Sequence, residues 1–340
     1  MKLFILSKDC KFVNWSSKSV LVTGAGGFIG SHLTEALADQ GADVTAVLRY
    51  TSEQNIGNLK YLPSEKFDKL NLVFGNVEDQ SFVEHTTKDK DVIFHLAALI
   101  GIPYSYYAPQ SYVSTNIVGT MNFLEAAKKH NPEISLFTST SEVYGTAQYT
   151  PIDEKHPLVG QSPYSATKIG ADKLVESYYL SFDAPVAIVR PFNTFGPRQS
   201  TRAVIPTIIS QAIYSDKIVL GDLETTRDLV FVKDTAQGFI KLAEKPFLGE
   251  PTNLATGREI SIGKLAETIR DKVNPSMEII QDKSRFRPSK SEVRQLLGAA
   301  DKVKTIGWEP KYSFEQAIDE TIEWFSTQWQ KSRGIGEYTI

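Results

Sequence analysis

The sequence predicts an α/β protein: a doubly wound parallel sheet followed by a smaller C-terminal α/β lobe. Three observations carry this. From Ser19 to Arg190, short apolar runs rich in β-branched residues alternate with helical patterns. A glycine-rich turn joins the first run to the first helix. Beyond residue 190 the alternation stops and prolines stand at 191, 197 and 206. Continuous apolar strands separated by helices signal βαβ units, because a parallel strand is buried on both faces and its crossover is usually a helix.

The elements follow in order. Ser19–Thr23 is the first strong strand and Ile29–Gln40 the first helix. Strands are then expected at Val44–Leu48, Leu72–Phe74, Val92–Leu96, Ser135–Ser139 and Pro185–Arg190, with helices at Ser111–Lys129 and Tyr164–Phe182. The second lobe reads as a strand at Ile218–Leu220, a loop carrying Arg227, a helix at Phe231–Ala243, a helix at Ile262–Val273, a strand at Glu278–Ile280 and a helix at Phe314–Phe325. Residues 1–17 precede the first strand and read as an extension.

Composition narrows the function classes. Hydrophobic residues at 41% and charged residues at 23% fit a folded chain and exclude disorder or coiled coil as the main architecture. Lys+Arg 37 against Asp+Glu 40 gives a net charge of −3, which lacks the basic surplus of a nucleic-acid binder. Cys10 is the only cysteine, so no intrachain disulfide forms. The apolar run Leu3–Leu6 is too short for a signal peptide, and no run approaches the ~18 apolar residues of a membrane span. A soluble cytoplasmic protein is expected. The five histidines show no metal-ligand spacing, so no metal is expected.

The turn Thr23-Gly24-Ala25-Gly26-Gly27-Phe28-Ile29-Gly30 follows a strand and opens a helix. Glycines at 24, 27 and 30 allow a tight turn and let the backbone approach a pyrophosphate, whose charge then sits at a helix N-terminus. That is the cofactor turn of a Rossmann-type sheet. Dinucleotide binders that take NAD usually place a carboxylate at the end of the second strand. Here that strand ends in Leu48-Arg49-Tyr50-Thr51-Ser52. Arg49, with Thr51 or Ser52, suits a 2′-phosphate, so the reading leans to NADP over NAD.

Tyr164 and Lys168 are four residues apart on an expected helix, hence on one face. An ammonium there is expected to lower the phenol pKa and make tyrosinate a usable base. Upstream, Thr138-Ser139-Thr140-Ser141-Glu142 follows a strand, at the sheet end where ligands bind in such folds.

Together the motifs resemble the extended short-chain dehydrogenase/reductases that act on nucleotide sugars. The matching pieces are TGAGGFIG at 23–30, HLAA at 95–98, TNIVGT at 115–120, STSEVYG at 139–145, YSATK at 164–168 and RPFNTFGPR at 190–198. The resemblance implies NAD or NADP, tightly bound and recycled within one turnover. It implies cofactor contacts from Gly24, Gly27, Phe28, Ile29, Gly30, Arg49, Asn76, Val77, Leu96, Ala97, Ala98, Asn116, Tyr164 and Lys168. Tyr164 is implied to take the sugar O4 proton, Lys168 to hold the nicotinamide ribose, and Thr140 to bind O4. Ser141 and Glu142 complete the catalytic set. Thr140-Ser141-Glu142 is similar to the triplet of GDP-mannose 4,6-dehydratases, and it also occurs in UDP-glucuronate decarboxylases. The stretches at 102–109, 196–211 and 225–235 look most like 4,6-dehydratases of bacterial nonulosonic acid pathways, which act on nucleotide-linked N-acetylglucosamine. A 4,6-dehydratase is the favoured reading; a 4-epimerase, a decarboxylase and a non-catalytic dinucleotide-binding sensor are the alternatives.

The substrate diphosphate calls for amides and guanidiniums, for which Asn193, Arg202, Arg227 and Arg287 are the candidates, ahead of Arg198 and Arg285. A homodimer is the family expectation. The domain reading is an extension at 1–17, a dinucleotide-binding domain at 18–191 with a return segment near 230–250, and a substrate-binding domain at 192–229 and 251–335.

Overall fold

The computed structural model describes residues 13–286 and 293–328. Its main sheet has seven strands: β1 (Ser19–Thr23), β2 (Asp43–Arg49), β3 (Asn71–Gly75), β4 (Val92–His95), β5 (Ile134–Thr138), β6 (Val186–Pro191) and a later strand, Pro251–Leu254. All pair in parallel, in the order β3, β2, β1, β4, β5, β6 and then Pro251–Leu254. The chain therefore winds outward from β1 in one direction and from β4 in the other, and a crevice opens between those two strands.

Alternate side chains feed the two faces. Val20, Val22, Ala46, Phe94, Leu136 and Val189 enter one core; Leu21, Val47, Ile93, Phe137 and Ile188 enter the other. This period of two, with both faces apolar, is why the strands read as continuous hydrophobic runs.

The second lobe contains β7 (Asn193–Phe195), β8 (Lys217–Leu220) and β9 (Thr226–Phe231). Pro251–Leu254 is β10, followed by β11 (Glu259–Ser261), β12 (Glu278–Gln281) and β13 (Gln295–Leu296). β9 is its hub: it pairs β11 antiparallel and both β13 and β7 in parallel, while β8 pairs β12. A separate core of Phe195, Ile205, Ile208, Leu265, Ile318 and Phe325 fills this lobe.

The α/β class and the two-lobed layout are as the sequence predicts. Four details differ. Trp15 is buried against Phe94, with ring centroids 6.3 Å apart, its Nε1 donates to Glu244 at 3.1 Å, and Val13 packs against the same core, so this stretch is anchored to the main sheet and is not an appendage. The return to the main sheet does not end at 250: β10 pairs β6, and Leu296, Val303 and Trp308 pack in the first core. The Ser111–Lys129 helix is built as a short helix (Pro109–Tyr112), a π-helical turn (Val113–Val118) and a helix (Gly119–His130). Arg227 lies within β9, not in a loop. Cys10 lies outside the described residues. Among the described residues, no helix is long and apolar enough to cross a membrane.

Candidate active site

A cavity of about 790 Å³ lies at the C-terminal ends of the strands, floored by the main sheet and walled by the second lobe. The glycine turn forms one end. Gly24 has φ +67°, and a Cβ there would come within 3.0 Å of the Ala97 nitrogen. A Cβ on Gly30 would stand 2.1 Å from the Gly24 carbonyl oxygen, so only glycine lets helix Phe28–Asp39 start this close to β1. Gly27 is its N-cap and offers no side chain, which leaves first-turn amides facing the cavity beside Phe28, Ile29 and Gly30. Thr23 locks the opposite strand: its Oγ1 accepts from the Leu96 and Ala97 amides, both at 3.0 Å. This cradle fits a dinucleotide pyrophosphate.

Arg49, Asn76, Val77, Leu96, Ala97 and Ala98 line the same cavity. Asn116 does not. It is 1% exposed, accepts from the Leu99 amide at 2.9 Å, and donates to the Leu99 carbonyl at 3.0 Å and to Thr167 at 3.1 Å. Asn116 therefore shapes the loop after β4 from behind. A buried amide needs all its partners, and here the protein supplies them. His95 is likewise a core residue, packed against Phe123 and Phe137, with burial pushing its pKa down to about 3.

The reacting end is built by β5 and the helix Pro163–Phe182. That helix starts with Pro163 behind a reciprocal cap between Ser162 and Ser165, which fixes its first turn and with it Tyr164. Thr140, Ser141 and Glu142 enter the cavity where β5 gives way to a single 3₁₀ turn. The Thr140 Oγ1 accepts from the Glu142 amide at 3.2 Å. Tyr164 and Lys168 are both buried and both line the cavity.

Their electrostatics differ from the sequence expectation. Burial dominates Tyr164 and pushes its pKa well above the usual phenol value; a hydrogen bond with Thr140 opposes this, and the charges of Glu142, Tyr112 and Asp172 reinforce it. Lys168 does not offset the burial. Its Nζ donates to the Thr138 carbonyl at 2.5 Å, and burial pushes it down to about 8. Desolvation of a phenolate outweighs a cation whose hydrogen bond is directed elsewhere.

On the substrate side, Asn193, Arg202 and Arg227 line the cavity; Arg287 lies outside the described residues. The Asn193 Oδ1 is buried without a partner among the described groups, a site that asks for a donor. Arg285, ranked lower from sequence, also lines the cavity, while Arg198 turns away to pair with Glu35 at 2.6 Å. Sequence reasoning missed Gln199 and Gly221–Asp222, which reach the cavity only through the packing of the second lobe.

The GDP-mannose 4,6 dehydratase family model matches residues 21–321. The chain belongs to the extended short-chain dehydrogenase/reductase family of nucleotide-sugar epimerases and dehydratases. Among curated relatives it is 33% identical to the low-salt glycan biosynthesis protein Agl12 of Haloferax volcanii, over 90% of this chain and 98% of that one. Among solved structures it is similar to a UDP-N-acetylglucosamine 4-epimerase from Methanobrevibacter ruminantium M1 in complex with UDP-N-acetylmuramic acid. That likeness has TM-score 0.84 and 32% identity, covering 92% of this chain and 99% of the other. It is also similar to DesIV, a dTDP-glucose 4,6-dehydratase from Streptomyces venezuelae solved with NAD, at TM-score 0.82 and 26% identity, covering 92% and 99%. Decarboxylases stand at comparable identity. Members of this family thus share a fold and a nucleotide-sugar substrate class, and differ in the step performed. The lean to NADP gains no support from these relatives, whose solved dehydratases carry NAD.

Proposed function

We propose that the chain is an NAD(P)-dependent nucleotide-sugar 4,6-dehydratase acting on a nucleotide-linked hexose of the N-acetylglucosamine type. The observation that carries this is the placement of Glu142: a half-buried carboxylate that lines the cavity with Tyr164, two residues from Thr140, its charge acting on the Tyr164 phenol. When bound, the dinucleotide supplies a hydride acceptor at C4 and a hydride donor at C6. Thr140 orients O4 and Tyr164 removes its proton as C4 becomes a ketone. The ketone acidifies C5–H. Glu142 takes that proton, and the C6 hydroxyl leaves as water, protonated from Glu142 through a water because Ser141 is too weak an acid. Lys168 orients the ribose next to the nicotinamide, and Asn193, Arg202 and Arg227 hold the diphosphate. Once C6 is reduced, Glu142, reprotonated from solvent, returns a proton to C5, and the product is the 4-keto-6-deoxy sugar.

Product masses from a panel of nucleotide sugars test the reading. Loss of water supports it. Loss of carbon dioxide replaces it with a decarboxylase, and an unchanged mass with an altered C4 centre replaces it with a 4-epimerase. Exposed Leu180 and Phe182, on the helix bearing Tyr164, and Val113 and Met121 on the neighbouring helical run support a homodimer, which light scattering tests.

Cofactor choice has its own test. Arg49 ends β2, is exposed, and lines the cavity. If it binds a 2′-phosphate, Arg49→Ala weakens NADP binding about tenfold or more and leaves NAD nearly unchanged, because a charge-assisted bond is worth about 1.5–3 kcal/mol. Titration calorimetry with both cofactors measures this; equal losses remove the 2′-phosphate role.

A further inference from the structure

Tyr164, Lys168 and Asp172 recur every four residues on one helix and form a buried polar stripe, at 6%, 5% and 4% exposure. The first two are accounted for by the chemistry; Asp172 does not reach the cavity. Its surroundings are nonetheless elaborate. The Asp172 Oδ2 accepts from the Ser139 hydroxyl at 2.9 Å and from Arg190 Nε at 3.0 Å, with Arg190 Nη2 at 2.9 Å. Arg190 Nη1 donates to the Tyr144 hydroxyl at 3.0 Å, and that hydroxyl donates to Asn253 Oδ1 at 2.7 Å. The network ties β5, the Tyr164 helix, β6 and β10 behind the catalytic end.

We propose that Asp172 is a positioning residue: held by Ser139 and Arg190 one helical turn beyond Lys168, its carboxylate supplies the counter-charge that keeps the Lys168 ammonium charged under the cavity. A buried ammonium is costly unless paired, and residues four apart on a helix are side-by-side neighbours. Lys168 has one hydrogen bond to a carbonyl, from Thr138, and the carboxylate charge that acts on it is that of Asp172. Other groups facing this stripe do not replace it. His95 on β4 is neutral in the working range, since burial holds it near 3. Tyr112 and Tyr144 are phenols whose pKa values burial raises. Glu142 acts on Tyr164 from the cavity side. Arg190 on β6 competes with Lys168 for the same carboxylate.

The sign follows. Burial lowers Lys168 to about 8 while Asp172 opposes that fall. Removing the carboxylate charge lowers Lys168 further, and it is neutralised at a lower pH. Removing Arg190 leaves more of the Asp172 charge to Lys168, and neutralisation moves to higher pH. A merely structural network predicts loss of activity in both variants with no opposed shifts.

The inference rests on the C4-oxidation step of the proposed function, and a test independent of turnover separates the two. In protein carrying lysine labelled with carbon-13 at Cε, the Lys168 signal is assigned with Lys168→Arg and titrated by NMR. Asp172→Asn is expected to lower the midpoint by about one pH unit or more, and Asp172→Glu to restore most of it. The alkaline limb of the C4-oxidation rate should move with it. Arg190→Gln is expected to raise the midpoint, and it carries the test if Asp172→Asn does not fold. An unchanged midpoint in Asp172→Asn, or an unchanged or lowered one in Arg190→Gln, overturns the proposal. If the titrations shift as expected and no nucleotide sugar is oxidised, the assigned activity falls and the Asp172 role stands.

Discussion

Tyr164→Phe is expected to lower the rate of C4 oxidation by about 10²–10⁴-fold, the usual contribution of a positioned acid–base group, while leaving dinucleotide binding intact. The phenol ring is buried and packs edge-on to Tyr112 at 6.3 Å, contacts that phenylalanine keeps. The lost atom is the hydroxyl bonded to Thr140, the one group placed to receive the O4 proton. Because burial holds that phenol well above its ordinary pKa, tyrosinate is scarce in the folded protein at neutral pH. The wild-type rate should therefore rise as pH rises, until loss of the Lys168 charge near 8 opposes it. Single-turnover absorbance of the reduced nicotinamide, with cofactor affinity measured separately, checks both statements. Oxidation at the wild-type rate in Tyr164→Phe would remove the base assignment.

The parts of this site that could be read in the sequence share one property: the information is local. The turn at 23–30 is legible because glycine geometry and the strand–helix change occupy eight consecutive residues. Tyr164 and Lys168 are legible through helix periodicity. The misread residues depend on partners far along the chain. Asn253 makes β10 an unpromising strand on composition, yet its side chain is satisfied by the Tyr144 hydroxyl and the Ile152 carbonyl, both more than a hundred residues upstream. Asn116 sits in a motif associated with the cofactor, but the fold turns it toward Leu99 and Thr167. Helix spacing shows which residues are neighbours and says nothing of how dry the site is or where the lysine points, so it gives the wrong direction for the Tyr164 pKa. The approach of Arg285 to the cavity is not legible locally, because it depends on the contact of its Nη1 with the Val219 carbonyl at 3.0 Å, across 66 residues of chain.

Glu142→Gln separates the two halves of the proposed reaction and is expected to stop the second. Glutamine keeps the backbone amide bonded to Thr140 and nearly the same side-chain volume, so the 3₁₀ turn survives. It cannot take a C5 proton. Elimination should fall by about 10²–10⁴-fold. C4 oxidation should persist, and the sign can be argued further. The Glu142 carboxylate is one of the charges that raise the Tyr164 pKa, so neutralising it lowers the barrier to forming tyrosinate. The variant should thus accumulate the unreduced 4-ketone with its C6 hydroxyl intact, and in deuterated water it should fail to exchange the C5 hydrogen. Mass spectrometry of quenched reactions reads both. Water loss at the wild-type rate would show that another group is the C5 base. Loss of oxidation and elimination together would place Glu142 in substrate binding, and leave Tyr164 as the only assigned proton acceptor in the cavity.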